Sequence, residues 1–551
     1  VERPLRNPPV LIFLAVLALA VVGTLVATAG MTFYQDTWAF LITRRDLSAE
    51  ALFHPHNEHL VVFPALLEML LLRLFGMSSA LPEYILLALS LAATAALLFV
   101  YMRSRVGDWL ALLAAVVVLT LGPAWEVLLW PFEITFIAPI LFGLAMLLAL
   151  EREDRLGDLA ACLFLILAVG SSGLGICFIA GAAAAVLMGP RGTWLRRAYI
   201  FGIPVLLYAA WWVGWGHDAE SHITLRNILA SPRFVYDSLA WAMQSMFGLA
   251  PAVGSEPDVS WGRALLVGAG LLLGYWLLRR PRPQVNRWLW PILAAATANW
   301  FLTAFNAFPG RDPSSSRYQY AGVIFVLMIV SNLLSGVRPG KKTLAALALV
   351  MALAIGPNLV ALKNGEEILE HQSMLTQADT AALEIASRTV DEDFQLTQPV
   401  AGTPSLINIY AGEYFEAVDE YGSPAYTEEE LAAAPEEARK YADIILSQAL
   451  PLMTKPLPGT FAGGSGKGCV AVPAGGEAAP DIPLSAGANR IEVAPGPPAE
   501  LSLRRFATEE FPVPTEDVPG GSAVLLRIPK DNSDLPWHLH VEAAQEARVC
   551  S

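Results

Sequence analysis

The hexapeptide His54-Pro55-His56-Asn57-Glu58-His59 gathers three of the chain's eight histidines around one carboxylate. Imidazoles beside a carboxylate can transfer protons, ligate a metal or hydrogen-bond an anion. His56, Glu58 and His59 are close enough in sequence to share a divalent metal, although their spacing follows no zinc pattern. Pro55 restricts the backbone of His54, and Asn57 is equally suited to start a helix. Upstream, Tyr34-Gln35-Asp36-Thr37-Trp38 supplies one more carboxylate. Asp36 fits two roles there, a general base or the cap of a helix beginning around Thr37. Further along stand Trp125-Glu126, Trp130-Pro131-Phe132-Glu133, Arg311-Asp312 and Arg317-Tyr318-Gln319-Tyr320. Arginine offers phosphate a two-point hydrogen-bonding fork, so Arg317, with Arg311 second, reads as an anion ligand, with Tyr318 and Tyr320 able to add hydrogen bonds. The plainer reading of Arg317 is an anchor snorkelling to headgroups, and of Trp125 and Trp130 an aromatic belt. His217, Asp218, Glu220 and His222 read as a solvated loop. Gly463-Gly464-Ser465-Gly466-Lys467-Gly468 lacks the spacing and following hydroxyl of a phosphate loop.

Positioning these groups falls to elements of unusual composition. The chain has 551 residues, 55% of them hydrophobic and only 16% charged, with mean hydropathy +0.49. A soluble domain carries about 25% charge, so a polytopic helical membrane protein is expected. Of 50 acidic and 36 basic residues, 30 and 12 fall from residue 361 onward. The tail is therefore acidic and the remainder slightly basic, with no basic patch suited to nucleic acid. Apolar stretches run near 9–30, 83–101, 108–121, 133–150, 157–170, 172–188, 198–216, 262–278, 289–306, 320–336 and 343–359.

The positive-inside rule orders these spans. Arg3 and Arg6 place the N-terminus in the cytoplasm. Arg103/Arg105, Arg191/Arg196/Arg197, Arg279/Arg280/Arg282/Arg287 and Arg338/Lys341/Lys342 mark cytoplasmic turns. The alternation holds if the run at 60–76, with Glu68 and Arg73, lies in the interface rather than crossing. About eleven spans follow, with a long external loop at 31–82 and the tail outside. A twelve-span alternative has 60–76 crossing. Residues 1–360 then form the membrane module.

The tail divides at about residue 455. Residues 361–455 read as helical and acidic, with capping-type starts such as Thr427-Glu428-Glu429-Glu430. Residues 456–551 are rich in Gly and Pro, with alternating runs at Glu500–Phe506, Ala523–Pro529 and Trp537–Ala543 that suggest a small β-sandwich. The fold class is thus a membrane helical module followed by an extracytoplasmic α+β domain. Cys162 and Cys177 lie in apolar spans as inert core residues. Cys469 and Cys550 could pair, and a bond between them requires an oxidising, extracytoplasmic compartment.

A carboxylate soon after the first span, an interfacial loop helix and an external C-terminal domain resemble the GT-C glycosyltransferases. Pro55-His56-Asn57-Glu58-His59, Trp130-Pro131-Phe132-Glu133, Ser171-Ser172-Gly173, Ser316-Arg317-Tyr318 and Tyr421-Gly422-Ser423-Pro424-Ala425 resemble segments of large actinobacterial membrane proteins. The resemblance implies an enzyme that takes a sugar from a polyprenyl-phosphate donor in the bilayer and transfers it to a cell-envelope glycan outside the plasma membrane. Arabinofuranose on decaprenyl phosphate is one donor it suggests. Many GT-C enzymes have two adjacent acids where this chain has Gln35-Asp36, leaving Asp36 as the base of that motif, with Glu58 as the other carboxylate for catalysis. Arg317, Tyr318 and Arg311 are expected on the donor phosphate. His54, His56, His59, Trp125, Glu126, Trp130 and Glu133 are expected on the sugar or acceptor. A glycolipid transporter, which would place charges mid-membrane in broken helices, and a non-catalytic envelope scaffold are the alternatives.

Overall fold

Most apolar runs fold as helices. The computed structural model describes residues 7–279, 286–396, 409–450, 452–457, 461, 468–475, 481–512 and 517–550. Arg3, Arg6, Arg280, Arg282 and residues 463–467 lie outside them. Among the described residues, five helices are long and apolar enough to cross a bilayer: Pro8–Ala27, Leu81–Val106, Pro131–Leu150, Arg191–Gly214 and Lys341–Ala386. A sixth forms if Asp108–Leu119 and Gly122–Leu129, bent by 52° at their break, count as one. The bend is built around Gly122. Its N–H donates to the Asn358 side chain at 3.2 Å, and an added Cβ would meet the Asn358 carbonyl oxygen at 1.9 Å. Leu174–Leu187 and Leu289–Phe305 are apolar but shorter. Large apolar side chains such as Leu19, Leu206, Val213, Leu271 and Leu353 point outward, a surface compatible with lipid rather than water.

Packing divides the chain into two units. The first comprises Val1–Gly30, Arg44–Leu71 and Leu81–Glu370; the second comprises Met31–Thr43, Leu72–Ala80 and His371–Ser551. The segment expected as one external loop is therefore shared. Its two ends pack with the tail, and its middle packs with the apolar helices. The second unit also joins the two parts of the tail that composition separates.

Helix Val62–Phe75 has 14 residues; those to Leu71 group with the first unit and those from Leu72 with the second. At 1.5 Å per residue it is about 21 Å long, the same as Leu174–Leu187, against a hydrocarbon core of about 30 Å. Helix Leu225–Met246 has no counterpart among the apolar stretches. It is strongly amphipathic and buries Ser231, Ser238, Gln244 and Ser245. Asn227, near its start, donates to the carbonyls of Phe305 and Ala307 just past helix Leu289–Phe305. Ser245, near its end, donates to Gln319 in the first turns of helix Ser316–Leu333 at 3.4 Å. Both ends of Leu225–Met246 thus meet the chain where Leu289–Phe305 finishes and Ser316–Leu333 begins, so the helix runs along one end of the bundle.

Charged groups also gather at the opposite end. Arg105 is buried, donates to Asn332 at 2.9 Å and to the Tyr101 carbonyl at 2.6 Å, pairs with Glu151, and lies over the Tyr101 ring. Every donor is engaged by an acceptor or a ring, which is how a buried guanidinium is tolerated.

Among its described residues the second unit holds a two-stranded sheet, Gln395–Leu396 with Ile409–Tyr410, and two larger antiparallel sheets that share one core with helices of the tail. One sheet orders strands Ile482–Leu484, Trp537–Glu542, Glu500–Arg504 and Phe511–Pro512; the other orders Met453–Leu457, Ala523–Ile528, Gly487–Val493, Ala547–Cys550 and Cys469–Val472. Alternating burial along Trp537–Glu542 places Trp537, Leu539 and Val541 inward, as a strand's period of two requires. Cys469 and Cys550 stand opposite each other on paired strands and form a disulfide. The buried Asp443 carboxylate accepts N–H groups from Arg505, Phe506 and Ala507 at 2.8–3.1 Å. The expected cap at Thr427 is present: its hydroxyl accepts the Glu430 N–H at 3.2 Å, and Glu430 accepts the Thr427 N–H at 2.9 Å. Tyr421-Gly422-Ser423 has a structural role here. The Tyr421 carbonyl accepts the Met77 N–H at 2.7 Å. Gly422 takes φ +87° against Ser78, and the hydroxyls of Ser423 and Tyr414 donate to Glu384 at 2.5 and 2.7 Å.

Candidate functional site

His56 and His59 are joined by two mutual backbone hydrogen bonds, 3.1 and 3.0 Å, around Asn57 at φ 53°. Asparagine tolerates that left-handed conformation better than most side chains. The tight turn, rather than the helix start also open at Asn57, separates the directions of its neighbours. The His56 ring lies 5.2 Å from the Phe132 ring, which stacks on Trp130 at 5.4 Å. The Glu58 carboxylate meets the Arg311 guanidinium through both oxygens, one of them at 2.8 Å. His59 Nε2 stands 3.4 Å from the same carboxylate.

Gly173 explains why a small residue follows Ser171-Ser172. A Cβ there would stand 2.7 Å from His59 Nδ1 and 3.0 Å from its Cε1. The imidazole therefore needs the space a side chain would take. Burial pushes the His59 imidazole down to about 4, partly offset by Glu58 and reinforced by Arg311 and Arg317. It is a neutral ring at neutral pH. Burial, the largest single influence, would raise the Glu58 carboxyl, but the Arg311 hydrogen bond, the neighbouring charges and a backbone hydrogen bond together outweigh it and hold the group below its ordinary value. Glu58 is thus a fixed anion, suited to orienting His59 and Arg311 rather than to donating a proton.

A second pair adjoins the first. Arg317, the second residue of helix Ser316–Leu333, approaches Glu126 at 3.8 Å. The preceding Ser316 hydroxyl accepts the Glu126 N–H at 3.1 Å, fixing the helix start against the Trp125–Leu129 turn. Tyr318 lies within electrostatic reach of Arg317, Arg311, Glu58 and Glu133, and its ring is 6.2 Å from that of Phe136. Glu133 is almost fully buried. The cluster adjoins the starts of three helices: Glu133 precedes Ile134–Leu150, His59 lies against Gly173 before Leu174–Leu187, and Glu126 meets Ser316 and Arg317 of Ser316–Leu333.

No protein-family model matches the chain, and neither a curated protein nor a solved structure matches it. The arrangement must speak through its own chemistry.

Of the expected site residues, Glu58, His59, Arg311, Arg317, Tyr318, Glu126 and Glu133 come together, with His56 and Trp130 joined through Phe132. Three stand apart. His54 is exposed and pairs with Glu50 at 2.9 Å on its own helix. Trp125 packs on Gly365, whose Cβ would fall 2.4 Å from the indole. Asp36 belongs to the second unit, where it opens helix Asp36–Thr43; a carboxylate there also complements the helix dipole. His56, Glu58 and His59 do not converge as metal ligands, because the turn sends His56 to Phe132 and Arg311 occupies the Glu58 oxygens. Among the described residues the group with ligand-like proximity is Asp481, Glu510 and His540 on a sheet of the second unit. There Arg504 pairs with Asp481 and Ser502 donates to Glu510.

Two features of the first unit were not read from the sequence: the ring contact of Phe132 with His56 and Trp130, and a buried carboxyl pair. Phe132 was visible only as part of a motif. Glu68 and Glu83 form a buried, hydrogen-bonded carboxyl pair in the first unit. Glu68 had suggested an interfacial surface position; instead it is turned inward against a second acid.

Proposed function

We propose that the chain is a GT-C-type glycosyltransferase that moves a sugar from a polyprenyl-phosphate carrier to an envelope glycan on the extracytoplasmic side of a bacterial plasma membrane. The observation that carries this reading is the cluster in the first unit, where two arginines, a tyrosine, a neutral histidine and three carboxylates gather at the starts of three helices. Such a site suits a phosphate attached to a hydroxyl-rich group. Arg317, whose guanidinium offers phosphate a two-point fork, is the proposed phosphate ligand, and Arg311, held at two points by Glu58, supplies fixed positive charge beside it.

The reaction requires the acceptor hydroxyl to lose its proton as its oxygen bonds to the anomeric carbon. The bond from that carbon to the phosphate oxygen breaks, its electron pair leaves with the polyprenyl phosphate, and direct displacement inverts the anomeric centre. A carboxylate must take that proton, and Asp36 is the one the sequence motif nominates; within the first unit, Glu126 and Glu133 are suited to sugar hydroxyls. About eleven spans rest on the alternation of arginine-marked turns, which holds if Val62–Phe75 and the amphipathic Leu225–Met246 do not cross.

Purified protein should release polyprenyl phosphate from a polyprenyl-phosphate sugar only when a glycan acceptor is present. Asp36→Asn, with unfolding temperature unchanged, should abolish that release, and Arg317→Gln should lower it about a hundredfold, as removal of one charge-stabilising donor does. Release that survives Asp36→Asn would move the base to the Glu58–His59 pair. Binding of the lipid without release from any donor would favour transport or scaffolding.

A further inference from the structure

At the far end of the helices that begin at the candidate site lies a cavity of about 730 Å³. Helix Ile134–Leu150 starts beside Glu133 and ends at this cavity, 17 residues on; Leu174–Leu187 starts beside Gly173 and ends there too. The separation is therefore about 25 Å by helix rise. The walls carry four arginines, Arg155, Arg196, Arg197 and Arg287, against three acids, Glu153, Asp154 and Asp158.

The acids are already engaged. Arg197 holds Asp158 through both of its oxygens at 2.6–3.1 Å, and Arg287 pairs with Glu153. Asp154 caps the Gly157 N–H at 2.6 Å and pairs with Arg152. At the start of helix Arg155–Val169, Asp154 thus engages the Gly157 and Asp158 N–H groups. Arg155 and Arg196 have no acidic partner among the described residues, and both are exposed at the cavity mouth. Around that mouth Leu156, Leu187, Met188, Leu195 and Trp290 are also exposed, Leu195 at 95%. Two unneutralised guanidinium groups bordered by outward-pointing apolar chains match a phosphate that carries acyl tails.

We infer that this cavity binds the phosphate headgroup of an anionic phospholipid, with Arg155 and Arg196 on the phosphate and the tails lying along Leu156, Leu187 and Leu195. Basic pockets between helix ends recognise such headgroups. The site depends on the helices crossing a bilayer and not on transferase chemistry, so failure of either reading leaves the other testable.

Full-length protein in phosphatidylcholine nanodiscs, with and without phosphatidylglycerol, gives the test by unfolding temperature and by lipid retained in native mass spectrometry. Phosphatidylglycerol should raise the unfolding temperature and remain bound. The Arg155→Gln/Arg196→Gln double variant should bind it about 30-fold more weakly, at about 1 kcal/mol per arginine. Arg191→Gln, at an exposed arginine outside the cavity lining, should behave as wild type. Equal retention by the double variant, or no preference over phosphatidylcholine in the wild type, overturns the proposal. Protection by millimolar inorganic phosphate equal to that by the lipid would assign the site to soluble phosphate and overturn its lipid source.

Discussion

His59 and Glu68 are buried groups whose shifts act on stability in opposite directions. His59 titrates at about 4 in the folded chain, below an unfolded histidine, so its contribution is full above about 6.5 and is lost as pH falls towards 4. Glu68 is driven up to about 7, by burial first and against the lowering effect of its hydrogen bond with Glu83. Its contribution is full below an unfolded glutamate's value of about 4.3 and is lost as pH rises through 7. Between these limits the slopes oppose each other. Relative to the wild type between pH 4 and 7.5, His59→Gln should therefore make unfolding temperature fall more steeply with rising pH, and Glu68→Gln should make it fall less steeply or rise. Parallel profiles for the two variants would refute this assignment. At Gly173 the effect is local. Gly173→Ala should displace the imidazole and lower acceptor-dependent phosphate release more than tenfold, with a smaller change in unfolding temperature. An unaltered rate would show that His59 has no part in the site.

The elements differ in how much of them the sequence makes visible. Helix Glu428–Ala433 was legible from Thr427 and Glu430, because its cap is local chemistry. Thr427→Ala should cost about 1 kcal/mol in denaturant unfolding of the full chain, and no cost would mean that tertiary packing alone holds the turn. Strands Glu500–Arg504, Ala523–Ile528 and Trp537–Glu542 were legible from strict alternation. Cys469–Val472 and Ala547–Cys550 were not, since four residues carry too few alternations to register. Helix Leu225–Met246 was hidden for another reason. The interior accepts Ser231, Ser238, Gln244 and Ser245 with local carbonyl or side-chain partners, and buried polar residues erase the apolar signal. The candidate site was visible as motifs but not as pairings. Glu58 and Arg311 are 253 residues apart, and nothing in either neighbourhood names the other. Gly173 beside His59 is likewise a contact that only the fold creates.

The whole molecule consists of two units whose segments alternate along the chain: residues 31–43 and 72–80 lie between stretches of the first unit yet pack with residues 371–551. Composition reported the tail as a separate object because charge changes sign near residue 361, but it had no means of detecting short insertions that join the tail's core. Trp38, fully buried in the second unit with Tyr414 at 6.1 Å, is one such insertion's anchor. Cys550→Ser should destabilise the second unit by about 2–4 kcal/mol in non-reducing denaturant titrations. Added reductant should bring the wild type to the same midpoint. A midpoint unaffected by either change would leave the disulfide without a stabilising role. The strand that carries Cys550 lies between Cys469–Val472 and Gly487–Val493, both of which precede it. During synthesis, the ribosome must therefore deliver residues 547–550 before this sheet can close. Until then, two strands present bare backbone edges to each other, making the nascent tail a client for chaperones and oxidases in whichever compartment receives it.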